Sequence, residues 1–202
     1  AGAREVVFTW QGVDERFERI EACGAIAGPQ RDGLVFIGHH EAHYHRALGA
    51  LARAGLPVRI YGHRWPEKTK RDRHLAPCVR GGAVWGDAYV RTLATGKIGV
   101  GLLSKLCPDA FTTRTFEIPA AGALLLTERT AEIEEIFEDQ KDAVFWSAVG
   151  ELVDKAGFYV AHDEVRQHIA LSGRKKVLNQ FTWEHVLHPL LRHLPISRTR
   201  VS

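Results

Sequence analysis

Between Leu34 and Gly62 the sequence makes one full crossover, and that unit leaves the chain very few folds to choose from. L-V-F-I-G at 34–38 is an unbroken apolar run, the pattern of a strand buried on both faces. Glu41–Ala54 places Tyr44, Leu48, Leu51 and Ala52 on one helical stripe, and Gly55 stops the helix. P-V-R-I-Y-G at 57–62 then reads as a second strand. Two strands joined through a helix of this length pair in parallel, with a right-handed connection.

The alternation continues along the chain. Val79–Val84 predicts a short third strand with a Gly81–Gly82 bend, Asp87–Thr95 a helix, and Lys97–Leu103 a further strand. A short helix opens at Thr112 or Thr113 and closes at Gly122, ahead of a strand at Ala123–Leu126. Thr130–Phe137 reads as a short acidic helix and Ala143–Trp146 as the last strand. Three helices follow, at Ala148–Ala161, Asp163–Asn179 and Thr182–Leu194, the last bent at Pro189. Ahead of the crossover, Glu5–Trp10 predicts a strand and Arg19–Asp32 an irregular segment. His63–Pro77 reads as a polar loop, and Trp146 and Trp183 as core. The expected fold class is α/β: an open, doubly wound, Rossmann-like parallel sheet with helices on both faces and helices at the C-terminal end.

Composition narrows the function classes. With 45% hydrophobic and 25% charged residues among 202, the chain has the makings of one good core. Nothing approaches ~18 consecutive apolar residues, so no transmembrane segment is expected, and no signal-peptide pattern opens the chain. Three widely spaced cysteines, Cys23, Cys78 and Cys107, suit neither a disulfide framework nor a zinc knuckle and point to a reducing, cytoplasmic setting. A net charge of +3 does not call for nucleic acid. The basic loop at Lys68, Lys70, Arg71 and Arg73 is broken by Glu67 and Asp72 and lacks interleaved aromatics, so nucleic-acid or anionic-membrane contact ranks last. The chain opens on Ala1 and holds no methionine, which suggests a piece of something longer.

The stretch Asp109–Glu128, D-A-F-T-T-R-T-F-E-I-P-A-A-G-A-L-L-L-T-E, carries the expected chemistry. A helix start offers free N–H groups, and Arg114 in its first turn adds a cation, a combination suited to phosphate. Glu117, a turn further in, can accept hydrogen bonds from hydroxyls on whatever carries the phosphate. In a doubly wound sheet, ligands sit beyond the C-terminal strand ends. The loops expected there carry His39, His40, His63, Arg64, Lys105, Asp109 and Arg114. The reading is a nucleotide-sugar site.

T-T-R-T-F-E-I-P-A-A-G-A-L-L-L-T-E-R-T resembles the CgeB-like proteins, a family named for a spore-maturation factor and regarded as glycosyltransferases. More broadly it is similar to the C-terminal, nucleotide-binding half of GT-B fold glycosyltransferases. Q-G-V-D-E-R-F resembles the hinge between the two halves of those enzymes, L-V-F-I-G the opening of the second half, and G-A-V-W-G-D-A-Y the segment that faces the base. F-E-I-P-A-A-G-A-L-L-L matches a glutamate-x-x-alanine-x-glycine block, and F-T-W-E-H resembles the usual start of the C-terminal helix.

The resemblance implies residues 1–32 as an inter-domain hinge and strand segment, and 33–202 as the nucleotide-sugar-binding domain. It implies that Glu117 binds the donor ribose and that Asp109 stands where an acidic side chain meets the transferred sugar, with aspartate in place of the family's first glutamate. His39 follows Gly38 where arginine is usual, so Lys105, Arg114 and the amides of Thr113–Thr115 are the expected grip on the diphosphate, with His39, His63 and Trp85 as further donor contacts. Fixed cations and N–H groups stabilise the charge that a departing nucleoside diphosphate gathers. No metal or cofactor is implied; the nucleotide-sugar is substrate, and the acceptor-binding half is expected outside this chain.

Plainer readings stand beside these. Glu117 can be a solvated first-turn carboxylate, Arg114 a surface bridge to Asp109 or Glu117, Lys105 a solvated loop residue, and Trp85 core. H-H-E-A-H-Y-H at 39–45 places His39 and His43, and Glu41 and His45, four apart, a spacing zinc can use, without forming H-E-x-x-H. A module that binds a nucleotide or sugar phosphate without transferring anything is the alternative function.

Overall fold

The computed structural model describes residues 6, 9–19, 31–107 and 109–191. All four side chains of β1 (Leu34–Ile37) are buried, and a strand enclosed on both faces needs a helical layer over each. The first cover is α1 (Ala42–Arg53), which turns Tyr44, Ala47, Leu48 and Leu51 inward. Gly55 leaves the helix at φ 75°, a conformation without penalty only for glycine. The chain returns as β2 (Val58–Tyr61), parallel to β1, with Leu34 opposite Val58 and Ile37 opposite Tyr61.

The remaining elements are α2 (Trp65–Thr69), β3 (Val79–Gly81), α3 (Gly86–Ala94), β4 (Ile98–Gly101), α4 (Thr113–Ala120), β5 (Leu124–Glu128), α5 (Ala131–Ile136), β6 (Val144–Trp146), α6 (Val149–Ala161), α7 (Asp163–Gln180) and α8 (Trp183–Leu191). The six strands lie in the order β3-β2-β1-β4-β5-β6, every neighbouring pair parallel. The order reverses between β1 and β4. This is the expected open, doubly wound sheet, ending in helices.

Side chains alternate between two cores, as the two-residue period of a strand demands. Leu34, Phe36, Leu124 and Leu126 pack with Tyr44 and Leu48 of α1 and Leu152 and Ala156 of α6. Val35, Ile37 and Leu125 pack with Leu93 of α3, Phe116 and Ile118 of α4 and Ile133 of α5. α7 serves both, giving Ile169 to the first and Val177 to the second. Each fully buried Leu or Phe contributes about 1.5–3 kcal/mol over leaving it in water, so the layers are held by many comparable terms.

Four expectations change. The 63–77 segment is not all loop: Trp65 is 0% exposed. Its indole stands edge-on to Phe36 at 5.9 Å, and its N–H donates to the Gly38 carbonyl at 2.7 Å. A buried indole with its donor satisfied outweighs the polar residues around it. The third strand stops at Gly81, short of the expected Val84. Trp183 is 44% exposed and lies over Gly12, so it is a surface cover and not core. In the expected first strand, Val6, Thr9 and Trp10 have no strand structure, and its other residues lie outside those described. Most of Arg19–Asp32, Cys23, and the end of the last helix past Leu191 also lie outside them.

Residues 11–19 pack against the same domain. Val13 pairs with Thr182, its N–H donating to the Phe181 carbonyl at 2.8 Å, and Phe17 is buried in the core that holds Phe116. Among the described residues no helix is long and apolar enough to cross a membrane.

Candidate functional site

Beyond the C-terminal ends of β1 and β2 the chain leaves through loops that almost touch. Gly62 has φ 142°, and a Cβ there would fall 1.9 Å from the Gly38 carbonyl. The backbone approach depends on its having none. Together with the start of α3 and the first turn of α4, these loops enclose a cavity of about 430 Å³. His39, His63, Trp85, Thr113, Arg114 and Glu117 all line it, and so do Arg16 and Tyr89. The position is the crevice beside the β1–β4 reversal, where sheets of this class bind ligands.

The first turn of α4 is fixed locally. Thr112 is the N-cap, and its amide donates to the Thr115 hydroxyl at 3.1 Å. Thr115 is 1% exposed and its own amide donates to the Thr112 carbonyl at 2.9 Å. Thr115 therefore closes the helix start and does not line the cavity; that duty falls to Thr113 and Arg114. Among the described residues the buried Nε of Arg114 has no hydrogen-bond partner. Leaving such a donor unpaired costs about 1–3 kcal/mol.

Glu117, one turn further along, receives the Tyr89 hydroxyl at 2.5 Å. Burial pushes its carboxyl above the usual range, against hydroxyl bonds from Tyr89 and Thr113 and the positive fields of Arg114 and Arg16. Burial, with Glu117 beside it, raises the Tyr89 phenol far enough that it stays a donor. A carboxylate has about four acceptor directions, so two hydroxyl partners leave room for two more. Trp85 is 76% exposed at the N-cap of α3; it is a cavity wall and not core.

His39 owes its place to Glu41, which the sequence offered only as a possible metal ligand. Glu41, the N-cap of α1, is 4% exposed, and His39 Nε2 lies 2.8 Å from its carboxylate. Burial works against ionisation of Glu41, but hydrogen bonds from the Ser104 hydroxyl, the Lys105 amide and His39 outweigh it and hold the carboxyl below its ordinary value. His63 also lines the cavity, and its carbonyl accepts from the His40 amide at 3.1 Å.

The expected catalytic residues do not all assemble. Lys105 does not line the cavity; its ammonium pairs with Glu128 at 2.5 Å. Asp109 is exposed on the same loop and does not line it either. The other histidines of 39–45 are engaged elsewhere: His43 donates to the Leu103 carbonyl at 2.6 Å, and His45 joins His40 at 3.1 Å to Asp72 at 3.2 Å. Among the described residues no three His, Cys, Asp or Glu side chains are placed to hold a metal ion.

Arg16 and Tyr89 were missed, and Tyr89 had a signal. It follows Trp85 by four, one helical turn, which puts both on one face of α3. Arg16 reaches the cavity from a segment distant in sequence, and nothing local marks it.

Solved structures share this fold. A glycosyltransferase from Rickettsia africae superposes with TM-score 0.67 at 14% identity, covering 93% of this chain and 56% of its own. The HepE protein of Anabaena, solved with UDP and glucose, gives 0.64 at 11% identity, covering 93% and 54%. The C-terminal domain of LpcC, a glycosyl transferase group 1 family protein from Francisella tularensis, gives 0.56 at 11% identity, covering 87% of this chain and 97% of that domain. The chain spans about half the length of the first two chains and nearly all of the isolated C-terminal domain. No curated protein matches it in sequence. A family model described as glycosyl transferase-like matches residues 41–192, most of the chain, and the protein belongs to that family.

Proposed function

We propose that this chain is the donor-binding half of a GT-B glycosyltransferase, of the CgeB-like branch that the 112–130 sequence resembles. One observation carries the reading: an acid, an arginine, a helix start and an exposed tryptophan share one cavity at the strand-order reversal. In this reading Glu117 accepts the ribose hydroxyls, Arg114 and the Thr113 and Arg114 amides hold the diphosphate, and Trp85 lies against the base. His39 and His63 face the phosphates from the strand-end loops. Cation and amide donors fixed in place favour the charge of the departing nucleoside diphosphate over the intact donor. Asp109 and Lys105 are assigned to the transferred sugar and its phosphate, Lys105 exchanging its present partner Glu128 for that role.

The acceptor and any catalytic base come from a second half, with residues 1–32 forming the link to it. The chain alone is then a binder without transferase activity. Free thiols at Cys78 and Cys107 fit the reducing, cytoplasmic setting assigned to it.

Binding without transfer is favoured by one fact: Lys105 and Asp109 stand outside the cavity. Thermal shift with UDP, GDP, TDP and ADP sugars tests the site. Stabilisation by at least one, rising with concentration as linkage requires, supports it, and no response to any overturns it. Linking the chain to its acceptor half separates transfer from binding alone.

A further inference from the structure

Arg16 enters the cavity from a segment anchored at several points. Val13 exchanges backbone bonds with Phe181 at 2.8 Å and Trp183 at 3.2 Å, and Arg174 donates to the Phe17 carbonyl at 3.1 Å. On that base Asp14 caps the short helical turn Glu15–Phe17, accepting the Arg16 amide at 2.9 Å. The same carboxylate takes the guanidinium Nε at 2.7 Å and Nη2 at 3.2 Å. Asp14 thus fixes one edge of the fork and leaves Nη1 on the other. Nη1 lies 3.4 Å from where a Gly86 Cβ would be, and Gly86 has φ 56°. Trp85, Gly86 and Arg16 therefore form one wall, at the start of α3. Thr113 and Arg114 form another at the start of α4, and the Tyr89–Glu117 bond joins the two.

We infer that Arg16 reads the base of the bound nucleotide and selects one that turns a carbonyl oxygen toward it, uracil or guanine over adenine. The inference rests on the donor-site reading. Glu117 and the α4 start take the ribose and diphosphate, which leaves the base to the Trp85 wall. A guanidinium presents only donors. Uracil O4, or guanine O6 with N7, meets it with acceptors, whereas the matching edge of adenine carries the N6 amino group. Donor against donor forms no bond, so adenine gains nothing from this contact. The Asp14 clamp holds the fork before ligand arrives, so little side-chain freedom is lost on binding.

Isothermal calorimetry of the chain with UDP, GDP and ADP tests this. UDP or GDP should bind at least about ten-fold more tightly than ADP, the discrimination expected of a good arginine–base contact. Arg16→Met should weaken the preferred nucleotide by about that factor and leave ADP unchanged. Arg16→Lys, which keeps donors but not the fork held by Asp14, should weaken the preferred nucleotide and keep part of the preference. Melting curves establish that both variants are folded. Equal affinity for all three in the wild type overturns the inference, as does an equal loss across all three in Arg16→Met, the mark of a phosphate contact. Either result spares the donor-site reading, since nucleotides still bind. If none binds, both fall.

Discussion

Glu117→Gln separates what this residue does for binding from what it does to the fold. Its carboxylate already holds the Tyr89 hydroxyl at 2.5 Å. If it also takes ribose hydroxyls, those are charge-assisted bonds of about 1.5–3 kcal/mol. Glutamine keeps one acceptor oxygen for Tyr89 and loses the charge and the second oxygen. The expected loss is therefore about 1.5–3 kcal/mol, roughly ten- to 150-fold in Kd. Stability should move the other way. Burial raises the Glu117 carboxyl in the folded state, so it binds its proton more tightly folded than unfolded. Its contribution is most favourable at low pH, where both states are protonated, and is lost as pH rises through the raised folded value. Glutamine escapes that loss. The variant should unfold at higher urea than wild type at neutral pH, and the gap should close as pH falls below the ordinary glutamate value of 4.5. Calorimetry with the best-binding nucleoside diphosphate and urea melts at several pH values measure both. Unchanged affinity in the folded variant would remove Glu117 from the site. A variant weaker at every pH would show that the charged form supports the fold, against the burial argument.

Trp85→Ala removes a side chain that is 76% exposed, so its melting temperature should stay within a degree or two of wild type on the order expected of surface changes. Nucleotide affinity should fall by about 1–3 kcal/mol, the usual range for an aromatic stacked on a base; titration that finds wild-type affinity would place the base elsewhere. Glu41→Gln should destabilise by about 1–3 kcal/mol at neutral pH, because the Lys105 amide, the Ser104 hydroxyl and His39 lose a buried charged acceptor. The Glu41 carboxyl is held below its ordinary value, so its contribution is present above the normal glutamate range and lost as pH falls through the depressed folded value. Urea melts that show the same gap at acid and neutral pH would refute it.

The fold was legible because its signals are local and physical. Apolar runs such as Leu34–Ile37 and Leu124–Leu126 cannot be exposed on either face, so they had to become strands in a covered sheet. The helix between β1 and β2 then fixed their parallel pairing. Thr112, Thr113, Arg114 and Glu117 could be grouped from spacing alone, since a helix start brings neighbours one turn apart to one end.

What the chain could not say by itself is who meets whom between distant segments. Trp65 looked like part of a polar loop until the Gly38 carbonyl and the Phe36 ring gave it a buried seat. Trp183 looked like core because tryptophan usually is, yet it is 44% exposed and only caps Gly12. Lys105 read as a cation for the ligand, but its ammonium pairs with Glu128, 23 residues on. Arg16 and Tyr89 gained their places only when the sheet set three loops and the 11–19 segment around one cavity, and Glu41 gained its place when His39 folded onto it. Periodicity is written into a sequence residue by residue; the partner of a buried polar group is a long-range contact, and only the closed structure supplies it.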